Sequence, residues 1–380
     1  MDNKTEGLGR KMKKCLLLIS VVFLLLNGCG YKDIDRRFFV LSIGIDKATD
    51  DKYDVSLKLG VPSSETKTGS SEALIMTEKA ETVSEAVRVI KSKVDKELDF
   101  SHAKVILFGD KVVKEEMSNI FDWFFRRRDI QPIAWVAIGS PSALDILKVK
   151  PKGERVPSNS LFLRFGGEGT ETPYITSIYL YDLKRNITER GIDPILPIIE
   201  AEKDNFTINK TGILQDQKQV MLLGEEGTKY FNFLIKSVKK LEIKVSKDKE
   251  PFFVFSSDDV KTSYKMMENG NGPVTVHYDI RTSGIVEESF VALDEKKTAD
   301  YEKAIAKEVE NEIKKLLEQF QKEKVDPIGF GLRYRGKHIG DEANKIKKWK
   351  EIYEQVKFVV DVSVQLESVG DIQDGEDYPN

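Results

Sequence analysis

Cysteine is nearly absent. Only Cys15 and Cys29 occur in 380 residues. Both lie in the first thirty positions, so the body that follows has no internal disulfide and must rely on apolar cores. With 40% hydrophobic residues and this length it can build them. Histidine is equally scarce. His102, His277 and His338 are the whole set, and none has another His or a Cys at ligand spacing. Zinc is left without support, and no metal or cofactor is expected. No G-x-S-x-G elbow exists to present a serine nucleophile. Asp and Glu are abundant, yet no pattern pairs two of them in a cleft, so an envelope hydrolase working through two carboxylates stays an open alternative without named candidates. Neither sign of charge dominates. The formal net charge is −3, and residues 1–28 carry five basic and two acidic side chains, leaving the remainder near −6. Nucleic acid, which calls for a basic face, is disfavoured as a partner. Beyond residue 30 no apolar run approaches the ~18 residues of a membrane span.

What is present begins with "KKCLLLISVVFLLLNGCG", residues 13–30. Its apolar part, Cys15 to Leu26, is twelve residues long. As a helix it would reach about 18 Å, against a bilayer core of about 30 Å. Arg10, Lys11, Lys13 and Lys14 precede it. A basic segment, a short apolar run and then small residues describe a secretory signal. Leu26-Asn27-Gly28-Cys29 resembles a bacterial lipobox, with Asn27 departing from the usual Ala, Ser, Thr or Val. The resemblance implies cleavage between Gly28 and Cys29 and attachment of fatty acyl groups such as palmitate to the Cys29 sulfur. A thiolate is the nucleophile that takes up the diacylglycerol group, so no other side chain can replace it. Met12 is as natural a start as Met1.

The chain divides into a signal (1–28), an N-terminal α/β region (29–200, possibly two modules), a C-terminal α+β region (201–368) and an acidic tail (369–380). In the first region "FFVLSIGID" reads as a strand. "YDVSLKLGV" alternates, with Tyr53, Val55, Leu57, Leu59 and Val61 on one face and Asp54, Ser56 and Lys58 on the other, which predicts a half-buried strand. "SSETKTGSSE" is a loop by composition. Thr82 and Glu85 form a capping box before Val83, Ala86, Val87, Ile90, Val94 and Leu98 at helical spacing. "AKVILFG" predicts a strand, 112–125 a helix and "PIAWVAIG" a strand. Ser140 is expected to cap a helix with Pro141 in its first turn. The stretch from "KPKGERVPSNS" to "GGEGTETP" reads as loop, and "ITSIYLYDLKR" as helix. Alternating strands and helices point to mixed sheets.

Past Glu200 the pattern changes to a hairpin and helix, then antiparallel strand signals at "KLEIKVS", "PFFVFSS", "PVTVHYDIRTSG" and "IVEESF". A long helix over 299–324 carries Ile305, Val309, Ile313, Leu316, Leu317 and Phe320, and Asp326-Pro327 stops it. A helix over 342–355 presents Ile346, Trp349 and Tyr353. A last strand alternates through Val356, Phe358, Val360, Val362, Val364 and Leu366. The fold class is therefore multi-domain α/β (α+β) with mixed sheets, the C-terminal part an antiparallel sheet with a long helix. No internal repeat is evident.

Some motifs resolve to ordinary structure. "GLRYRGKH", Gly331 to His338, has the outline of a phosphate-binding loop, but His338 replaces the hydroxyl residue and no strand precedes it, so a turn between helices is expected. "FDWFFRRRD", 121–129, reads as a buried aromatic face followed by cations at a helix C-terminus, ahead of a membrane- or partner-facing patch. His277 is placed mid-strand as a cross-strand partner and His102 in a turn. The sequons at Asn186 and Asn205 carry no meaning beside a bacterial lipobox.

Taken in order, the lipobox, "FFVLSIGIDK", "HAKVILFG", "WFFRRRDIQP", "GIDPILPII", "VDPIGFG", "WKEIY" and the terminal alternating strand resemble the Ger(x)C family, the C-subunit lipoproteins of spore germinant receptors. The resemblance runs over almost the whole chain after Cys29. Gly30 stands where the family often has an aromatic, and "FRRRDIQP" is a looser form of its segment. It implies a non-catalytic protein lipid-anchored at the outer face of the inner spore membrane. It also implies partnership with membrane-spanning A and B subunits in detecting nutrients such as amino acids or sugars. The competing reading is a lipoprotein solute-binding protein of a transporter, which would show two similar α/β lobes around a cleft.

Overall fold

Strands covered on both faces read as unbroken apolar runs, and "VILFG" and "WVAIG" are such runs. In the computed structural model, which describes residues 36–60, 73–152, 158–165, 172–235, 241–247, 250–268 and 273–370, they become β5 (Val105–Gly109) and β6 (Trp135–Ser140). These strands lie at the centre of a sheet with β1 (Arg37–Lys47), β2 (Tyr53–Gly60), β3 (Ala73–Ala80), β4 (Glu97–Asp99), β7 (Ile195–Ala201), β8 (Phe206–Gln215) and β9 (Lys218–Leu223). The order is β3-β2-β1-β5-β6-β7-β8-β9, with β4 on β1. The β1, β5, β6 and β7 ladders are parallel, and antiparallel hairpins flank them. Ile106, Phe108, Val136 and Ile138 face one apolar core, while Val105, Leu107, Trp135 and Ala137 face a second. The sheet continues past Glu200 through β8 and β9.

Packing on both faces corrects the expectation for β2. Ser56 and Lys58 are buried, not solvated, and Ser56 Oγ lies 2.8 Å from Thr77 Oγ1 on β3. The N-cap forms, while Glu85 Oε2 accepts from Glu81 N, one residue before the Thr82 N of a full capping box. Thr82 Oγ1 accepts from Glu85 N at 3.1 Å, starting α1 (Val83–Ser92). Replacing Thr82 by Ala is expected to cost about 1 kcal/mol in chemical denaturation. The helix stops earlier than predicted, because Leu98 is buried from β4 instead. The helix expected over 112–125 is split into a 3-10 turn at Val112–Lys114 and α2 (Ser118–Arg126). Between them Met117 N donates to Gln217 O, a tertiary bond that takes the chain off a helical path.

The cap expected at Ser140 lies two residues later. Ser142 Oγ accepts from Asp145 N and starts α3 (Ala143–Lys148), while Ser140 Oγ donates to Asp110 Oδ2. Asp46, at the end of β1, accepts from Ala143 N and Leu144 N at 2.8 and 2.9 Å, so a partner 97 residues away helps fix the register. The stretch read as loop contains α4 (Asn159–Phe165). The helix read over 175–185 is α5 (Leu180–Thr188). Its first residues are extended instead: Val136 N donates to Ile178 O, and Trp135 bridges Tyr179.

After α6 (Glu225–Ile235) comes a second sheet of β10 (Leu241–Lys247), β11 (Glu250–Met267), β12 (Thr275–Ser289) and β13 (Lys357–Ser368). Its first three strands are antiparallel, and β13 joins β12 in parallel. A parallel return needs a long crossover, and α7 (Thr298–Lys322), α8 (Phe330–Lys337) and α9 (Glu342–Tyr353) supply it. The predicted stripe of α7 is buried throughout, from Ile305 to Phe320. One apolar cluster runs from the first sheet through Phe231 to Phe253, Phe320 and Phe330. The described residues from Phe38 onward form one compact unit. The predicted acidic tail falls mainly on residues 371–380, outside the described ones.

Candidate functional site

Two Asp-Pro pairs, Asp193-Pro194 in "GIDP" and Asp326-Pro327 in "VDPIGFG", meet across 133 residues of sequence. Asp193 N donates to Asp326 O at 2.9 Å, and Asp326 N donates back to Asp193 Oδ2 at 2.6 Å. The first segment leads into β7 of the first sheet, and the second joins α7 to α8. A reciprocal clasp thus ties the two sheets' regions together. Leu332 N adds a bond to Gly191 O at 2.7 Å, Gln215 Nε2 one to Lys324 O at 3.1 Å, and Arg335 pairs with Glu189.

Asp326 does more than clasp. Its Oδ1 accepts from Gly329 N and Phe330 N at 2.9 and 3.0 Å, and its Oδ2 from Gly331 N at 2.7 Å and Trp349 Nε1 at 3.3 Å. The first turn of a helix leaves N–H groups without partners inside the helix, and this carboxylate collects those of α8 while fixing the indole of α9. Tyr353 Oη donates to Val325 O at 2.9 Å beside it. Two glycines make the fit. Gly329 has φ +83°, and Gly191 has φ +98° with its α-carbon against Gly331. A β-carbon at Gly191 would stand 2.6 Å from Gly331 C and from Leu332 N. Gly191→Ala is therefore expected to lower stability by about 2 kcal/mol or more, read as a lower urea midpoint.

Beside the clasp opens a cleft of about 400 Å³, lined by Ile187, Arg190, Asp193, Gln215, Trp349 and Lys350 among others. Burial pushes Asp193 up to about 6 and Asp326 up to about 7. Backbone donors oppose both shifts, and Asp193 itself raises Asp326. Two raised carboxyl groups in a cleft are the pattern of an acid–base pair. The geometry argues otherwise. Both Asp326 oxygens are already occupied by four N–H donors, so the group is built into the scaffold. In the sequence Asp326 reads only as a helix stop, and no local signal pairs it with Asp193.

The other singled-out residues lie apart. Cys29 and Gly28 are outside the described residues. His102 packs edge-on to Phe39. His277 Nε2 lies 2.5 Å from Asp361 Oδ2 on β13, the cross-strand partner expected of it. His338 closes α8, with Nδ1 2.8 Å from Tyr334 O. "GLRYRGKH" is itself helix α8, not a turn. In "FDWFFRRRD", Phe121 and Phe124 are buried, Arg126 pairs with Asp122, and Arg127 lies 4.2 Å from the centre of the Phe100 ring. Among the described residues no three His, Cys, Asp or Glu side chains gather as a metal site.

The clasp is built from two of the segments that carried the family resemblance. Residues 30–201 match the family model for the spore germination protein N-terminal domain, and residues 209–370 the model for the spore germination B3/GerAC-like C-terminal domain. The chain is 23% identical over 379 residues to the putative spore germination protein YfkR of Bacillus subtilis, spanning 94% of this chain and 96% of the relative. It is 24% identical over 361 residues to spore germination protein KC of Bacillus subtilis, spanning 84% and 87%. It is 22% identical over 366 residues to GerQC of Bacillus cereus, spanning 94% and 99%. The crystal structure of the GerBC protein shares the fold with a TM-score of 0.55 at 20% identity, covering 86% of this chain and 96% of that one. With both domain models matched in tandem, on either side of the junction that Asp193 and Asp326 close, the chain belongs to the Ger(x)C family of spore germination proteins.

Proposed function

We propose that this protein is the lipid-anchored C subunit of a spore germinant receptor, working with membrane-spanning A and B subunits in nutrient-triggered germination. The observation that carries the reading is the join between leader and family match. The match begins at residue 30, directly after the Cys29 of the lipobox-like segment. Residues 1–28 then serve as a signal that is removed, Cys29 carries the acyl chains, and two working domains follow, the sheet of the first running on through β9. Among the described residues no helix is long and apolar enough to cross a membrane, and in this reading the acylated Cys29 supplies the anchor.

The role is binding, not catalysis. The cleft's two raised carboxyl groups are engaged in the scaffold: Asp326 accepts from four N–H donors, and Asp193 Oδ2 accepts from Asp326 N. A transporter's solute-binding protein is the weaker reading, since the two sheets differ in strand number and order and do not make similar lobes. Mass spectrometry of the protein isolated from spore membranes tests the proposal. The expected N-terminal peptide begins at Cys29 and carries a diacylglyceryl mass. A bare thiol, or an intact leader, would refute it.

A further inference from the structure

The chain is slightly acidic, yet residues 333–350 hold seven Lys or Arg against two acids, Asp341 and Glu342. This segment is α8, the connection after it, and most of α9. Some of its cations are spent internally. Arg335 pairs with Glu189 and Glu342, and Lys345 with Glu342 and the His338 carbonyl. Arg333, Lys337, Lys347 and Lys348 are exposed, and among the described residues none of them meets a carboxylate. Arg333 lies over the Tyr264 ring, and Lys337 Nζ donates to Met266 O at 2.9 Å.

An apolar tip sits among these cations. Ile339 is fully exposed, at 105%, and a β-carbon added to Gly336 or Gly340 beside it would meet nothing within 4 Å. Met267, 41% exposed, ends β11. The Lys337–Met266 bond and the 3.1 Å contact of His338 Nε2 with Glu268 hold the end of α8 against that strand end. They place Met267 and Ile339 at the same extremity. Exposed apolar side chains beside cations that, among the described residues, meet no carboxylate match a polyanionic interface with an apolar layer beneath it. A protein groove would instead face a recess on this surface.

We propose that the α8–α9 tip is a peripheral membrane contact. Arg333, Lys337, Lys347 and Lys348 take anionic phospholipid headgroups, and Ile339 with Met267 enters the acyl boundary. The contact presupposes that the protein works at a membrane, as proposed above, but it does not use the acyl anchor, so the two are tested separately.

The test uses residues 30–380, which lack both leader and Cys29 and contain every described element. They are mixed with vesicles of phosphatidylglycerol and phosphatidylcholine, or of phosphatidylcholine alone, and sedimented. The expected result is binding to the anionic vesicles only, released by about 0.5 M salt, where surface attraction is screened. Ile339→Asp, and Lys347→Glu with Lys348→Glu, are each expected to weaken binding about tenfold or more. Both changes are at exposed positions, and unchanged thermal midpoints would confirm intact folding. Failure to bind anionic vesicles, equal binding to neutral ones, or undiminished binding by the variants would overturn the proposal. None of these outcomes depends on whether Cys29 is acylated.

Discussion

Spores of a Cys29→Ala strain should lose most of this protein from the membrane fraction and germinate markedly more slowly in nutrient. The size of the effect follows from the proposed anchor. Each methylene buried in the bilayer contributes about 0.8 kcal/mol, and two chains hold a protein stably where one gives only reversible binding. Removing the sulfur removes every chain attached through it, because the only other thiol, Cys15, lies at the start of the apolar run and outside the lipobox-like tetrad. None of the described helices is long and apolar enough to replace the anchor by spanning the bilayer. Contact through the α8–α9 tip would retain some protein at low ionic strength, so the membrane fraction should be washed in high salt before measurement. Protein level must be followed in parallel, because an unanchored subunit is open to degradation. Normal germination at normal protein level, with the protein still membrane-bound after the wash, would remove the basis for the proposed anchor.

Local signals in the sequence translated well where the partner of a residue is close in the chain. Thr82 capped its helix because Glu85 is three residues on. The α7 stripe from Ile305 to Phe320 and the alternation of β13 were legible because each needs only one buried face. Errors arose where distant groups decide. Pro141 suggested a helix start at Ser140, but Asp46 takes the N–H groups of Ala143 and Leu144 and sets the start at Ser142's side chain. Leu98 fitted a helical period yet pairs from β4. Ser56 and Lys58 looked solvated because alternation cannot reveal a second covered face. The candidate site was the least legible part. "GIDP" and "VDPIGFG" are unremarkable in isolation, and their meaning lies in a bond between residues 193 and 326 that no periodicity encodes.

That bond makes Asp326→Asn the substitution with the largest expected effect on the fold. The carboxylate accepts from three backbone N–H groups and an indole while buried. An amide in its place keeps one acceptor and points an NH₂ group at donors that cannot accept. Hydrogen bonds to a charged group contribute about 1.5–3 kcal/mol each, and stranded buried donors add a penalty, so above pH 7, where the carboxyl is ionised, a loss of about 3 kcal/mol or more is expected. Asp193→Asn should be far milder, since its amide oxygen can still accept from Asp326 N. The two variants should agree in their pH behaviour. Burial raises both acids, to about 6 and about 7, so the folded state favours their neutral forms. Stability from each group is then fully present below the ordinary carboxyl value of about 4 and is lost as pH rises through 6 to 7. In urea melts from pH 4 to pH 8 the wild-type midpoint should carry this downward contribution, and either Asn variant should flatten it. If Asp326→Asn unfolds at the wild-type midpoint across that range, the carboxylate is not the fastener of the junction.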